Sequence, residues 1–219
     1  MTNRNAQIKW LIVSGILIAI SIVILFLPER QSDPDADLRN LKPGATVSKI
    51  IDGDTFELSD GRTVRLIGVD TPEIDMPFYD EAAAFTESVL IGREIDFEFD
   101  KVNSDKYGRL LLYAFVDSNF VNETIIRNGL GIVYLFESDL KYADALIESQ
   151  KRARTARLGI WSLPDPALED YYINIEGSFR FHRPLCMAIK KSDPDKWKIY
   201  YSREELLDKG FSPCRNCRP

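Results

Sequence analysis

Between residues 45 and 116 the chain reverses direction every few residues. "ATVSKII" runs into "DGD", "TFEL" into "SDG", and "RTVRLIGV" follows at once. An Asp-Gly turn between alternating runs is a strong hairpin signal, because these residues accept the left-handed backbone of a tight reversal. "EIDFEFD" alternates strictly, with Ile95, Phe97 and Phe99 on one face, and "RLLLYAFV" reads as a further strand. Three helical patterns interrupt or follow these strands. "DEAAAFTESVLIG" places Ala83, Phe85, Val89 and Leu90 together, and "VNETIIRNG" ends at Gly129. "SDLKYADALIESQKRARTARLG" turns Leu140, Ala143, Leu146 and Ile147 to one side, and Trp161 of "GIWS" is expected to dock after it. Five short strands with a helix inserted after the third predict an α+β fold, a small curled β-barrel of OB type decorated with helices.

With 219 residues the chain can build one well-cored domain and a smaller appendage. Its charge is unevenly spread. Residues 44–162 carry 13 Lys and Arg against 21 Asp and Glu, whereas residues 178–219 carry 10 against 5. A basic module joined to an acidic one points toward nucleic acid, with a merely solvated basic face as the plain alternative.

The N-terminus reads differently. Trp10 to Leu27 is a run of 18 residues without charge, about 27 Å of helix, which matches a hydrocarbon core. Arg4 and Lys9 precede it, and Glu29, Asp33, Asp35 and Asp37 follow, so the positive-inside rule places the rest of the chain outside the cytoplasm. A cleaved signal peptide is the competing reading, but "FLPERQSD" offers no small-x-small cleavage site. Residues 1–30 are therefore expected to be a single-pass anchor in the cell membrane, and cleavage there would make the protein secreted. Residues 31–43 are expected to be a linker, 44–163 the barrel domain, 164–177 a second linker and 178–219 the C-terminal module.

Acidic residues recur at strand ends, as Asp52 and Asp54 in "IDGDT" and Asp70 and Glu73 in "VDTPE". If the hairpin forms, Asp54 before its first strand and Asp70 after its second emerge side by side. Such acids can be ordinary turn chemistry. They can also be half of a metal site, because two close carboxylates repel unless a cation lies between them. Oxygen ligands without imidazole or thiol favour calcium or magnesium over zinc. Arg65 leads into the same edge and Arg109 opens another strand, so two guanidiniums could clamp a phosphate beside the metal.

"IDGDT", "VRLIGVDTPE" and "DKYGR", in this order and spacing, resemble the staphylococcal nuclease (thermonuclease) family over about residues 45–162. The resemblance implies an OB-type barrel and calcium-dependent hydrolysis of phosphodiesters in DNA or RNA. It implies Asp54, Asp70 and the carbonyl of Thr71 as calcium ligands, and Glu73 as the residue that activates or orients water. It also implies Arg65 and Arg109 as the arginines on the scissile phosphate, with Lys106 and Tyr107 on a terminal phosphate. The base-contacting aromatic falls within Tyr134, Leu135 and Phe136. A non-catalytic nucleic-acid- or protein-binding barrel is the rival reading, and the intact set Arg65, Asp70, Glu73 and Arg109 argues against it. No protein partner is expected, and the chain is expected to be monomeric.

All three cysteines and the one histidine fall after residue 180, as His182-x3-Cys186 and Cys214-x2-Cys217. Two close pairs of soft ligands fit a closed tetrahedral zinc site, while a disulfide framework would leave one cysteine over. "SREELLDKGFSPCRNCRP" resembles the zinc-binding N-terminal module of the Ada DNA-repair protein. In that module the first ligand is a methyl-accepting cysteine; here the position is His182, which cannot replace a metal-activated thiolate. What remains is a zinc-stapled basic unit, with Arg180, Arg183, Lys190, Lys191, Lys196, Lys198 and Arg215, that docks nucleic acid or caps the fold. Because the two metals prefer different ligands, zinc removal is expected to leave cleavage of short oligonucleotides nearly intact.

Overall fold

Alternate residues along the first strands, among them Val47, Phe56, Leu58, Val64 and Leu66, are fully withdrawn from solvent. They line a closed barrel, and each such burial contributes roughly 1.5–3 kcal/mol. The structure, a computed structural model, describes residues 44–137 and 140–219. The barrel strands are β1 (Ala45–Asp52), β2 (Thr55–Leu58), β3 (Thr63–Leu66), β5 (Glu94–Glu98) and β6 (Leu110–Val116). β1 pairs antiparallel with β2 and β5, β2 with β3, and β5 with β6. Parallel pairing of β3 with β6, Arg65 opposite Leu111, closes the ring of five strands. The short β7 (Asn119–Phe120) folds back to pair antiparallel with β6.

The run "RTVRLIGV", expected as one strand, is two. After β3 the chain breaks at Ile67, and β4 (Gly68–Asp70) leaves the barrel to pair with β8 (Ile132–Tyr134). Gly68 makes the break possible, because its φ of 76° suits glycine and a Cβ there would run into Leu146. Buried Asn122 holds the junction. Its amide nitrogen donates to the Ile67 carbonyl at 2.8 Å, and its oxygen accepts from the Ala114 N–H at 2.9 Å.

Three helices cover the barrel: α1 (Tyr79–Leu90), α2 (Val121–Arg127) and α3 (Ala143–Thr155). The inward faces differ from the apolar reading. α1 buries Ala82, Thr86 and Leu90, and Ala83, Phe85 and Val89 are not among its buried residues. α3 buries Leu146, Ser149, Gln150 and Ala153, with Ile147 half-buried. The polar members have partners that require them. Thr86 Oγ1 donates to the Gly53 carbonyl at 2.7 Å, and Gln150 Oε1 accepts from the Val133 N–H at 2.7 Å.

The C-terminal part adds two short helices, α4 (Met187–Lys190) and α5 (Arg203–Asp208). Its strands are β9 (Tyr172–Ile175), β10 (Arg180–His182), β11 (Trp197–Tyr200) and β12 (Ser212–Pro213), and they form one sheet in the order β11-β9-β10-β12. β9 lies within the expected linker 164–177, so the module begins earlier than its composition suggests. It is no separate bead either. Trp161 packs against the core of Tyr172, Phe181, Leu206 and Leu207, and Gln150 Nε2 donates to the Leu207 carbonyl at 3.2 Å. Barrel and module belong to one compact unit. Among the described residues no helix is long and apolar enough to cross a membrane. The expected anchor 1–30 and linker 31–43 lie outside the described residues.

Candidate active site

Gly53 sets the geometry from which the site is built. The chain turns between β1 and β2 there, close against its neighbours: a Cβ would lie 2.8 Å from Ala82 and 2.9 Å from Thr71. That approach delivers Asp54 to the start of the segment after β4. Asp54 Oδ2 accepts from the Thr71 N–H at 2.8 Å and the Thr71 hydroxyl at 3.1 Å, and Oδ1 accepts from the Thr55 hydroxyl at 2.9 Å. Asp70 ends β4 and is 9% exposed; Asp54 is 4% exposed.

Arg65, on β3, joins the two acids. Its Nη1 lies 2.7 Å from Asp54 Oδ1 and donates to the Val69 carbonyl at 2.7 Å, while Nη2 lies 3.2 Å from Asp70 Oδ1. One guanidinium thus spans both carboxylates. Burial pushes the Asp54 carboxyl up to about 6; Arg65 opposes the rise and Asp52 adds to it. Two nearly dehydrated acids with no thiol or imidazole beside them suit a hard divalent ion.

These residues form the floor of a cleft of about 670 Å³. All eight barrel residues singled out in the sequence line it: Asp54, Arg65, Asp70, Thr71, Glu73, Lys106, Tyr107 and Arg109. Arg109 is held by Asp105, with Nε and Nη2 at 2.8 and 2.7 Å from Oδ2, and its guanidinium lies over the Tyr107 ring at 5.5 Å. Tyr107 and Lys106 are exposed at the rim, with Lys106 Nζ 5.0 Å from the ring centre. Of the three residues in the aromatic segment, Tyr134 and Phe136 line the cleft and Leu135 is buried.

Two residues here were expected in the basic C-terminal unit and not in the barrel's cleft. Arg180 and Arg215 reach in from the C-terminal module, and Asp70 pairs with both. Arg215 also pairs with the half-exposed Glu73. No local pattern marks them, because they arrive through sheet pairing in another part of the chain.

In the module, ligand atoms of His182, Cys186, Cys214 and Cys217 all lie within 4.8 Å of one another. The three cysteines are free thiols. Buried His182 Nδ1 has no hydrogen-bond partner, and burial, then the nearby Arg180, holds the imidazole below its ordinary pKa. A neutral imidazole beside three thiols is a donor set for zinc.

The small closed barrel, with paired carboxylates and arginines in one cleft, is of OB type. The model of the staphylococcal nuclease homologue family matches residues 63–163. The chain is 32% identical to a thermonuclease of Staphylococcus hyicus over 165 residues, which are 69% of this chain and 98% of that protein. It is 36% identical to the endonuclease YncB of Bacillus subtilis over 145 residues, 61% of this chain and 69% of that one. The SPbeta prophage-derived endonuclease YokF of the same species is 31% identical over 162 residues, with 69% of this chain but only 53% of that protein covered. The chain belongs to the staphylococcal nuclease family.

Proposed function

We propose that this protein is a calcium-dependent nuclease that hydrolyses phosphodiester bonds of DNA or RNA by attack of water on phosphorus. The observation that carries the reading is the convergence of Asp54, Arg65, Asp70, Thr71, Glu73 and Arg109 on one cleft. Asp54 and Asp70, with the Thr71 carbonyl, would hold calcium, which when bound supplies positive charge beside the phosphate. Attack in line with the leaving oxygen leaves extra negative charge on the equatorial oxygens. Arg65 and Arg109 serve there as fixed donors, which favours the transition state over the ground state. Glu73, the most exposed of these carboxylates, orients the water and takes its proton. The relatives' names, thermonuclease and endonuclease, support the same class. A digestion assay of the full chain tests the reading. Polynucleotide should shorten with calcium and remain intact with a chelator of divalent ions, and no hydrolysis in calcium would refute it.

Metal-free stability offers a second check. A carboxyl of ordinary pKa when unfolded and about 6 when folded stabilises the fold below the unfolded value and loses that contribution as pH rises through 6. Ionised at pH 7, Asp54 therefore costs on the order of 2–3 kcal/mol in the absence of a cation. In chelator, Asp54→Asn is expected to be more resistant to urea than the parent at pH 7, with the difference shrinking toward pH 4. Equal midpoints at pH 7 would mean that Asp54 is not held in this strained ionic state.

We also propose that His182, Cys186, Cys214 and Cys217 hold one structural zinc. Their mutual distances and the unpartnered His182 nitrogen support it.

A further inference from the structure

We propose that Arg180 and Arg215 are substrate-binding residues, carried into the cleft by the C-terminal module to take a phosphate of the bound strand next to Asp70. The proposal rests on the nuclease reading above and extends its cleft to a second part of the chain.

Parallel pairing of β10 with β12 sets Arg180 opposite Ser212 and Phe181 opposite Pro213, so Arg180 opens β10 while Arg215 lies two residues past the end of β12, and both guanidiniums reach Asp70. Arg180 is pre-set. Its Nη1 donates to the Pro213 carbonyl at 3.0 Å, and its guanidinium lies over the Tyr134 ring at 4.2 Å. Its Nη2 is left facing the cleft, 3.1 Å from Asp70 Oδ2. A planar group with one edge fixed and the other presented loses little freedom when it binds an oxyanion. Arg215 is 45% exposed and spans Asp70 and Glu73, so it can leave them without disturbing a core.

Charge gives the reason for an exchange of partners. Asp70 is nearly buried yet faces three guanidiniums, those of Arg65, Arg180 and Arg215. Once a divalent cation neutralises Asp54 and Asp70, Glu73 is the one carboxylate among their partners left to answer the three guanidiniums. A phosphodiester strand is the anion the cleft then suits, because Arg binds phosphate through paired N–H donors. Departure of Arg215 toward phosphate also uncovers Glu73 for water. A purely blocking role for the two arginines predicts the opposite effect of removing them.

The test uses the full chain carrying Glu73→Gln, so that a fluorescent single-stranded oligonucleotide survives in calcium while its binding is titrated. Adding Arg180→Ala or Arg215→Ala should weaken binding on the order of tenfold each, the scale of one charged hydrogen bond. Each should also make the salt dependence shallower by about 0.7 in log–log slope, as expected when the protein neutralises one phosphate fewer on a single strand. Arg215→Lys should retain part of the slope. The calcium midpoint, read by thermal shift, should stay within a few-fold of the parent.

Unchanged affinity and slope in both alanine variants would overturn the proposal. So would tighter binding, or faster cleavage when either alanine is placed beside an intact Glu73, because each would make the arginines a plug. If the parent neither binds nor cleaves any polynucleotide in calcium, the nuclease reading itself fails. If it does both and only the arginine variants behave as the parent, the failure belongs to this inference alone.

Discussion

Glu73→Gln is expected to lower phosphodiester hydrolysis by at least about a hundredfold, the usual scale for loss of a positioned general base. The fold should not change with it. Glu73 follows the buried end of β4, lines the cleft, and takes no part in the hydrogen bonds that fix Asp54 to Thr71. Gln preserves its volume and an oxygen that can still accept from Arg215, but it cannot take a proton from water. Oligonucleotide affinity in calcium should therefore remain within a few-fold of the parent while single-turnover cleavage falls. Parental turnover in the variant would remove Glu73 from the chemistry. An equal loss of binding would recast it as a residue that positions Arg215 or the cation.

The carboxylates and arginines of the barrel were legible in the sequence because each sits at or beside a strand end that alternation and turn residues mark. The hairpin around the "SDG" turn brings Thr55 opposite Arg65 and so sets Asp54 beside the Arg65 side chain, while Asp70, the neighbour expected from the hairpin, comes on β4. The break at Ile67 was hidden. "LIGV" is apolar throughout, and only the packing of Gly68 under Leu146 and the Asn122 bonds decide that β4 leaves the barrel. Helix faces were misread where a buried polar group serves the backbone, as Thr86 serves Gly53 and Gln150 serves Val133. Arg180 and Arg215 were the least accessible of all. They stand 110 and 145 residues from the Asp70 they face, and composition showed only that their segment is basic. Local patterns carry strand ends well; they do not carry the docking of one sheet onto another.

Cys214→Ser is expected to have the largest effect on the molecule as a whole. Cys214 packs with Ile173, Cys186 and Ile189, and its N–H donates to the Phe181 carbonyl at 2.9 Å, so it ties β12 to β10 at the His182 cluster. If zinc completes that cluster, binding and folding of the module are one process, worth roughly 10–16 kcal/mol in small zinc-dependent domains. Metal analysis of the parent should find about one zinc per chain, and the variant should lose most of it. Thiol titration of the denatured, metal-free parent should count all three cysteines as free, whereas a disulfide would leave one. Hard and soft ligand preferences suggested that losing zinc would spare the cleavage of short oligonucleotides. The structure points the other way, because Arg215 follows Cys214 directly and Arg180 lies two residues before His182. Cleavage should fall on the order of tenfold or more, as with loss of a phosphate-binding arginine. Calcium should bind no more weakly, since Asp54, Asp70 and Thr71 all lie in the barrel and Asp70 would lose two competing guanidiniums. Loss of zinc with parental cleavage would show that the barrel alone holds the substrate. Retention of one zinc in the variant would place the metal on other ligands.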